Sequence, residues 1–187
     1  AKLTQTSADK GGSFTLQWIQ LGHASDAEVK TLIDTGGAGG AKITFADIFD
    51  AVTPNKAGDG TYSCPTGYTG VSHGHAATAG NTYNECLMLK PGKEKAAAFL
   101  ETRRYAAMLG ATTELNKEEG ITFDPTTKKL YLAMSDVTNG MTANSTGAKN
   151  NLEAFTTDHI KLTANRCGIV YELDVDANYS ATAMKGL

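Results

Sequence analysis

The residues able to do chemistry fall into a few short groups. Glu119 stands just before the strand-like run Ile121-Thr122-Phe123, where a carboxylate on its own reads as facing water, and Glu118 beside it reads as surface. Asp174 and Asp176 alternate about Val175, so both fall on one side of a strand. That spacing suits calcium and equally suits a wet face, and the wet face is the simpler reading. His73-Gly74-His75 carries imidazoles, good ligands for a transition metal, but a pair in a Gly-rich loop is read as binding nothing. Arg103 and Arg104 sit in a helical pattern, where one is expected to pair with Glu101 or Glu114 while its stem covers apolar surface. Gly36-Gly37-Ala38-Gly39-Gly40 lacks the Lys-Ser/Thr ending and the preceding strand of a phosphate loop, so it is a connector. Asn144-Ser145-Thr146 and Asn178-Tyr179-Ser180 are sequons that matter only in a glycosylating host.

Three cysteines, Cys64, Cys86 and Cys167, form no CxxC pair, which excludes a zinc ribbon. Cys64 and Cys86 flank one Gly-rich loop. They are either two free thiols or a disulfide across the 21 residues between them, a bridge worth on the order of 3 kcal/mol in the chain-entropy view. A bridge would place the chain in an oxidising compartment, periplasmic or extracellular.

These groups must be positioned by a chain of 187 residues, about the length of one domain. The formal net charge of −3 gives no general basic surface for a phosphate backbone, so nucleic acid is not an expected partner. No apolar run reaches the roughly 18 residues of a membrane span. The start, Ala1-Lys2-Leu3-Thr4, has no charged head and apolar centre of a signal peptide, so the chain reads as soluble with any targeting segment missing or already removed. Leu, Ile, Val and Phe make up fewer than a fifth of the residues, whereas Gly and Ala make up about a quarter. A core this thin is expected to lean on bound metal or on more polypeptide.

Phe14 to Ile19 is rich in β-branched and aromatic residues and reads as a strand. Ser25-Asp26-Ala27-Glu28 has the form of a capping box, followed at helical spacing by Val29, Leu32 and Ile33, and the helix stops at Gly36. Thr44 starts a second short helix with Phe45, Ile48, Phe49 and Val52 as its apolar stripe. From Pro54 to Asn84 aliphatic residues almost vanish, which predicts a long loop within a Gly-rich insertion at about 54–92. Glu94 to Leu109 is the clearest helix, stopped by Gly110. Ile121-Thr122-Phe123 and Lys129 to Met134 flank the turn Asp124-Pro125-Thr126-Thr127, which reads as an antiparallel hairpin. A polar loop covers Thr138 to Asn151, Ile169 to Asp176 alternates as a half-buried strand does, and Tyr179 to Leu187 begins another strand. Hairpins spaced by loops suggest propeller blades. Four or five strands make hardly more than one blade, so the expected fold is mainly β with short helices, a segment of a β-propeller that is incomplete in this chain, with 1–187 as a single segment.

The stretch Glu101-Thr102-Arg103-Arg104-Tyr105-Ala106-Ala107-Met108-Leu109-Gly110-Ala111-Thr112, then Glu118-Glu119-Gly120-Ile121-Thr122-Phe123-Asp124-Pro125 and Lys129-Leu130-Tyr131-Leu132-Ala133-Met134-Ser135, resembles the PhoX-type alkaline phosphatase family. Weaker likenesses bracket it, at Ala1-Lys2-Leu3 with Trp18-Ile19-Gln20-Leu21 and at Asn165-Arg166-Cys167-Gly168-Ile169-Val170-Tyr171. Members of that family are far longer, fold as β-propellers and are exported. The resemblance implies hydrolysis of phosphate monoesters at a cluster of iron and calcium ions held mainly by carboxylates in the propeller's central channel.

The family carries an Arg-Pro-Glu element after Leu-Gly-Ala-Thr, whose Arg contacts phosphate and whose Glu ligates metal. This chain reads Lys117-Glu118-Glu119 there, with about one residue of difference in spacing. The resemblance therefore implies Glu119 as a metal ligand and Lys117 in the place of the catalytic arginine. Lysine keeps the charge and loses the planar two-pronged donor. The family's other ligands, a cysteine thiolate among them, lie in segments without a match here, and Cys167 sits in a different motif. The implied partners are a phosphate ester substrate and the remaining propeller segments or companion chains. The alternative is a propeller-derived binding or structural protein without catalysis, which Lys117 in place of arginine favours.

Overall fold

The computed structural model of this chain describes residues 1–72, 84–143, 154–155 and 157–187. Strands β1 (Lys2–Ser7) and β2 (Ser13–Gln17) open it as an antiparallel hairpin with Leu3 opposite Leu16. Helix α1 (Asp26–Thr35) starts at the expected capping box, where the Ser25 hydroxyl accepts the Glu28 amide and Glu28 Oε2 accepts the Ser25 amide at 2.8 Å. Helix α2 (Phe45–Ile48) begins as expected at Thr44 but lasts one turn. The stripe expected to continue through Val52 becomes instead strand β3 (Phe49–Val52), because each of its residues finds a partner in register, from Phe49 opposite Leu89 to Val52 opposite Cys86. For so short a helix, one ladder of long-range hydrogen bonds outweighs one more turn.

The expected long loop from Pro54 to Asn84 is also partly ordered. It holds strands β4 (Asn55–Lys56), β5 (Tyr62–Ser63) and β6 (Thr69–Ser72), and strand β7 (Asn84–Leu89) follows as the centre strand of a sheet ordered β3-β7-β6. Cys64 and Cys86 are joined by a disulfide, with Cα atoms 5.5 Å apart, that ties the β4–β5 hairpin to β7. Gly70 allows the Phe155 ring to lie against β6, since a Cβ there would stand 2.4 Å from the ring. Ala96, Ala97, Ile48, Phe49, Val71 and Leu87 form the buried core of this part.

The helix expected over Glu94 to Leu109 breaks into α3 (Glu94–Leu100) and α4 (Thr102–Met108). At the break Glu101 leaves helical geometry, and the Thr102 hydroxyl donates to the Ala98 carbonyl at 2.6 Å. Such a side-chain bond competes with the main-chain ladder, and propensity alone does not reveal it.

Strands β8 (Glu118–Asp124), β9 (Lys129–Met134), β10 (Ile169–Asp174) and β11 (Ala183–Gly186) form an antiparallel meander. β11 then pairs with β2, giving one antiparallel sheet in the order β1-β2-β11-β10-β9-β8. Its inner face carries Leu3, Phe14, Met184, Tyr171 and Leu173, covered by Val137, Met141, Ile160 and Leu162. Its outer face is polar along the ladder Lys185, Glu172, Tyr131 and Thr122, as expected of an antiparallel sheet wet on one side. Gly168 enters β10 at φ +76, where a Cβ would sit 2.0 Å from the Met134 carbonyl oxygen. The described residues are mainly β-sheet with a few short helices, as the sequence implies, and they form neither a closed barrel nor a propeller ring. Among them no helix is long and apolar enough to cross a membrane.

The disulfide holds a hairpin whose two strands have two residues each, so it should carry much of that region's order. Cys64→Ala is expected to lower the free energy of unfolding by about 3 kcal/mol, the chain-entropy value for a loop of this size. Urea denaturation with and without a reducing agent measures it. If reduction leaves the wild-type midpoint in place, the bond does not support the fold.

Candidate functional site

Lys117 and Glu119 occupy a corner where the chain enters β8. Asn116 is buried and donates to the Thr138 hydroxyl at 3.1 Å, which anchors the approach. Lys117 then adopts the left-handed conformation, φ +57, and its carbonyl accepts the Ser135 amide at 3.0 Å. The register next slips, with Glu118 opposite Met134 and Gly120 opposite Ala133, so Glu119 is the extra residue of a β-bulge. Glu119 Oε1 accepts the Ser135 hydroxyl at 3.2 Å, and both Lys117 and Glu119 are exposed. A left-handed lysine followed by a bulged glutamate is a strained way to enter a strand, and strain of this kind gathers at functional sites.

Asp136 follows Ser135 directly. Its Oδ2 accepts the Thr138 hydroxyl at 3.0 Å, while Oδ1 is buried without a hydrogen-bond partner among the described residues. The corner thus offers the Glu119 carboxylate and the Ser135 hydroxyl, with the Asp136 carboxylate next in the chain, oxygen donors of the hard type that calcium and iron accept, and Lys117 brings an ammonium that could meet an anion but no cation. Among the described residues no group of three or more His, Cys, Asp or Glu side chains is placed to hold a metal. Sequence reasoning passed over Asp136, although its place just after the Leu130-Tyr131-Leu132-Ala133-Met134-Ser135 run was the available signal.

The other residues singled out from the sequence are dispersed. His73, His75 and the sequon at Asn144 lie outside the described residues. Asp174 accepts Lys129 Nζ at 2.8 Å, and Asp176 lies beyond the strand, where its Oδ1 accepts the amides of Asn178 and Ser180. Glu172, between Lys129 and Lys185, is held down at about 2 by those two ammonium groups. Arg104 takes the expected structural role, with Nε and Nη2 on the two oxygens of Glu85 at 2.7 and 3.1 Å and Nη1 on Glu101 at 2.7 Å. Those carboxylates raise its affinity for its proton, led by Glu85. Its guanidinium also lies 5.1 Å from the centre of the Phe45 ring.

Glu114, the other partner expected for an arginine, is fully buried elsewhere and pairs with backbone. Its two oxygens accept the amides of His159 at 3.1 Å and Ile160 at 2.7 Å. Burial pushes its carboxyl up to about 7, partly offset by those two amides. His159 Nδ1 stands 3.0 Å from the Thr112 hydroxyl and 3.4 Å from Glu114 Oε1. Burial, then the charge of Lys2, holds this imidazole below its ordinary value. Hydroxyl and carboxylate meet the same ring nitrogen, whereas a nucleophilic triad needs them on opposite nitrogens. The cluster is a clasp: Thr112 also accepts the Leu3 amide at 2.8 Å, so β1, the segment before β8 and residues 159–160 meet at one point.

The clasp gives a pH dependence of definite sign. Glu114 holds its proton up to about 7 when folded, against an ordinary 4.5, so its contribution to stability is full below 4.5 and is lost as pH rises towards 7. His159 acts oppositely, since a lowered imidazole costs stability as pH falls. The stability difference between wild type and Glu114→Gln isolates the carboxyl. It should move by about 3 kcal/mol against the wild type between pH 5 and 8 and level off above, from the ~1.36 kcal/mol that attends each pKa unit. A difference flat with pH, read by urea denaturation, would remove Glu114 from that role.

Comparison with known protein families, curated proteins and solved structures finds none that matches this chain.

Proposed function

We propose that this chain is part of a metal-dependent phosphatase acting on phosphate monoesters, with its site at the Lys117–Glu119 corner, and that it belongs to a larger PhoX-like β-propeller completed by further propeller segments or companion chains. The observation that carries the reading is the corner itself: a left-handed lysine and a bulged glutamate held against Ser135, beside the partnerless Asp136 Oδ1. The resemblance over residues 101–135 supplies the reaction. The Cys64–Cys86 bond supports an exported, periplasmic or extracellular protein.

In this reading Glu119 and Asp136 contribute oxygen ligands to iron and calcium, with the other ligands supplied by polypeptide outside this chain. Bound there, the metals would neutralise phosphoryl oxygens and lower the pKa of water. Lys117 forms no ion pair among the described residues, and its ammonium binds a phosphoryl oxygen of the ester as a point charge. Ser135 fixes one oxygen of Glu119 and leaves the other for the metal. Strand β8 supports the larger assembly: its residues are exposed on both faces except at Asp124, and Ile121 is 69% exposed on the same face as the core.

The test is hydrolysis of p-nitrophenyl phosphate at mildly alkaline pH with iron and calcium supplied, alongside metal content by elemental analysis and assembly mass by native mass spectrometry. Glu119→Gln should lower metal content and activity together, and unchanged metal content rejects Glu119 as a ligand. Lys117→Ala should raise KM about tenfold, the effect of losing a charge-assisted bond worth roughly 1.5 kcal/mol. Native particles with neither metal nor chelator-sensitive hydrolysis would leave the chain as a binding or structural protein, the reading that lysine in place of arginine favours.

A further inference from the structure

A small cavity of about 120 Å³ shares His159 with the clasp. Its walls come from β6, the end of α4 with Gly110 and Ala111, Phe155, Thr157, and the start of β1. Val71, Ala107 and Phe155 make much of the wall apolar, which weakens the screening of any charge inside. The polar lining is unbalanced. Lys2 and His159 both line it, along with Ser72, Thr113 and Thr157, and among the described residues no aspartate or glutamate lines it. Two carboxylates stand next to His159 without lining the cavity: Glu114, which spends both oxygens on the amides of His159 and Ile160, and Asp158, whose Oδ1 is buried without a hydrogen-bond partner among the described residues. The Ser72 hydroxyl is also committed, donating to Asn84 and accepting the Phe155 amide.

Thr113 breaks the ordinary rule for buried polar groups. The residue is 8% exposed, and its Oγ1 is buried with no hydrogen-bond partner among the described residues. An orphan hydroxyl of this kind costs roughly 1 to 3 kcal/mol unless something outside the chain satisfies it. His159 makes its polar contacts among the described residues through Nδ1, which leaves Nε2 for water or a ligand. The cavity wall thus holds a hydroxyl without a partner, an imidazole and a lysine, with no carboxylate among the described lining residues.

We infer that this cavity binds a small oxyanion, held by the Thr113 hydroxyl, His159 Nε2 and the Lys2 ammonium. At ~30 Å³ per water the space equals about four waters, enough for a phosphate or a short carboxylate and too little for a nucleotide. Lys2 and His159 both line the cavity and repel when both are charged, and an anion bound there turns that repulsion into two attractions. The site uses none of the residues of the Lys117–Glu119 corner, so it stands whether or not the phosphatase reading does.

The test uses thermal stability and phosphorus NMR of the intact protein titrated with inorganic phosphate, with sulfate and acetate as separate arms. Wild type should show saturable binding of at least one of the three in the millimolar range or tighter. Thr113→Val, nearly the same shape, should be more stable than wild type in anion-free buffer and bind the anion about tenfold more weakly, since the orphan hydroxyl is gone. Lys2→Gln should weaken binding too, while Lys117→Ala and Glu119→Gln should leave this stoichiometry in place. No saturable binding of any of the three anions overturns the site, as does a Thr113→Val protein that binds like wild type. Binding lost in Glu119→Gln and kept in Thr113→Val would assign the anion to the other corner and overturn it equally.

Discussion

Phe14 and Met184 stand directly opposite each other where β2 meets β11, and the sheet exists as one piece because of that pairing. It joins strands from the two ends of the sequence, with Thr15 opposite Ala183 and Ser13 opposite Lys185. Long-range pairing of this sort costs loop-closure entropy before it gains anything, so it needs support beyond its own hydrogen bonds. Trp18 Nε1 donates to the Ala181 carbonyl at 2.7 Å, and the Tyr171 hydroxyl donates to the Gly11 carbonyl at 2.7 Å, one bond on each side of the seam. The Phe14 and Tyr171 rings meet edge to face 5.9 Å apart beneath it. Loss of this seam would separate the N-terminal hairpin from the meander and expose the core that both cover.

Everything between β2 and β8 is an excursion from that sheet, and polar ties hold it. Its apolar core is small, with two alanines of α3 among its six buried residues, so burial alone supports it weakly. The disulfide fixes its hairpin. Asn84 Oδ1 accepts the Ser72 hydroxyl and the Ala154 amide, and Ser72 accepts the Phe155 amide, so two buried side chains bind β6 and β7 to a segment far away in sequence. Such a network specifies one arrangement because each unmet bond would be costly. The small core is thus supplemented from within by a covalent bond and by buried polar ties.

Local signals were legible and long-range ones were not. Ser25 with Glu28, Thr44 and the turn at Asp124-Pro125 each act through neighbours within four residues, and each appears in the structure as read. The end of α2 and the break at Glu101 escaped because a distant strand settles the first and a side-chain hydroxyl the second. Part of the expected long loop is ordered for a related reason: β4, β5 and β6 are short, poor in aliphatic residues and held by a covalent bond and by β7. Glu119 was legible only through resemblance, since a carboxylate before a strand is ordinary. Glu114, Thr113 and Asp136 were invisible as a group, because burial of a polar atom is a property of packing and leaves no mark on residue type.

The outer strand β8 brings these threads together. Its register places Ile121 opposite Leu132 and Phe123 opposite Leu130, on the face that elsewhere forms the core. Nothing among the described residues covers Ile121, and Phe123 has Tyr179 packed edge to face at 5.7 Å, itself 76% exposed. Fully burying a side chain of this size is worth roughly 1.5–3 kcal/mol, so covering the pair would match the disulfide in scale. A second copy of the same strand is poorly suited to the task. Antiparallel pairing centred on Ile121 would set Glu118 against Asp124 twice, and carboxylates on an edge strand oppose such pairing. On the proposed reading, a different polypeptide that covered Ile121 and Phe123 would necessarily lie beside the bulge that presents Glu119. On that reading its side chains would come beside Glu119, so the cover for the apolar stripe and the further ligands that a metal there requires would come from the same strand.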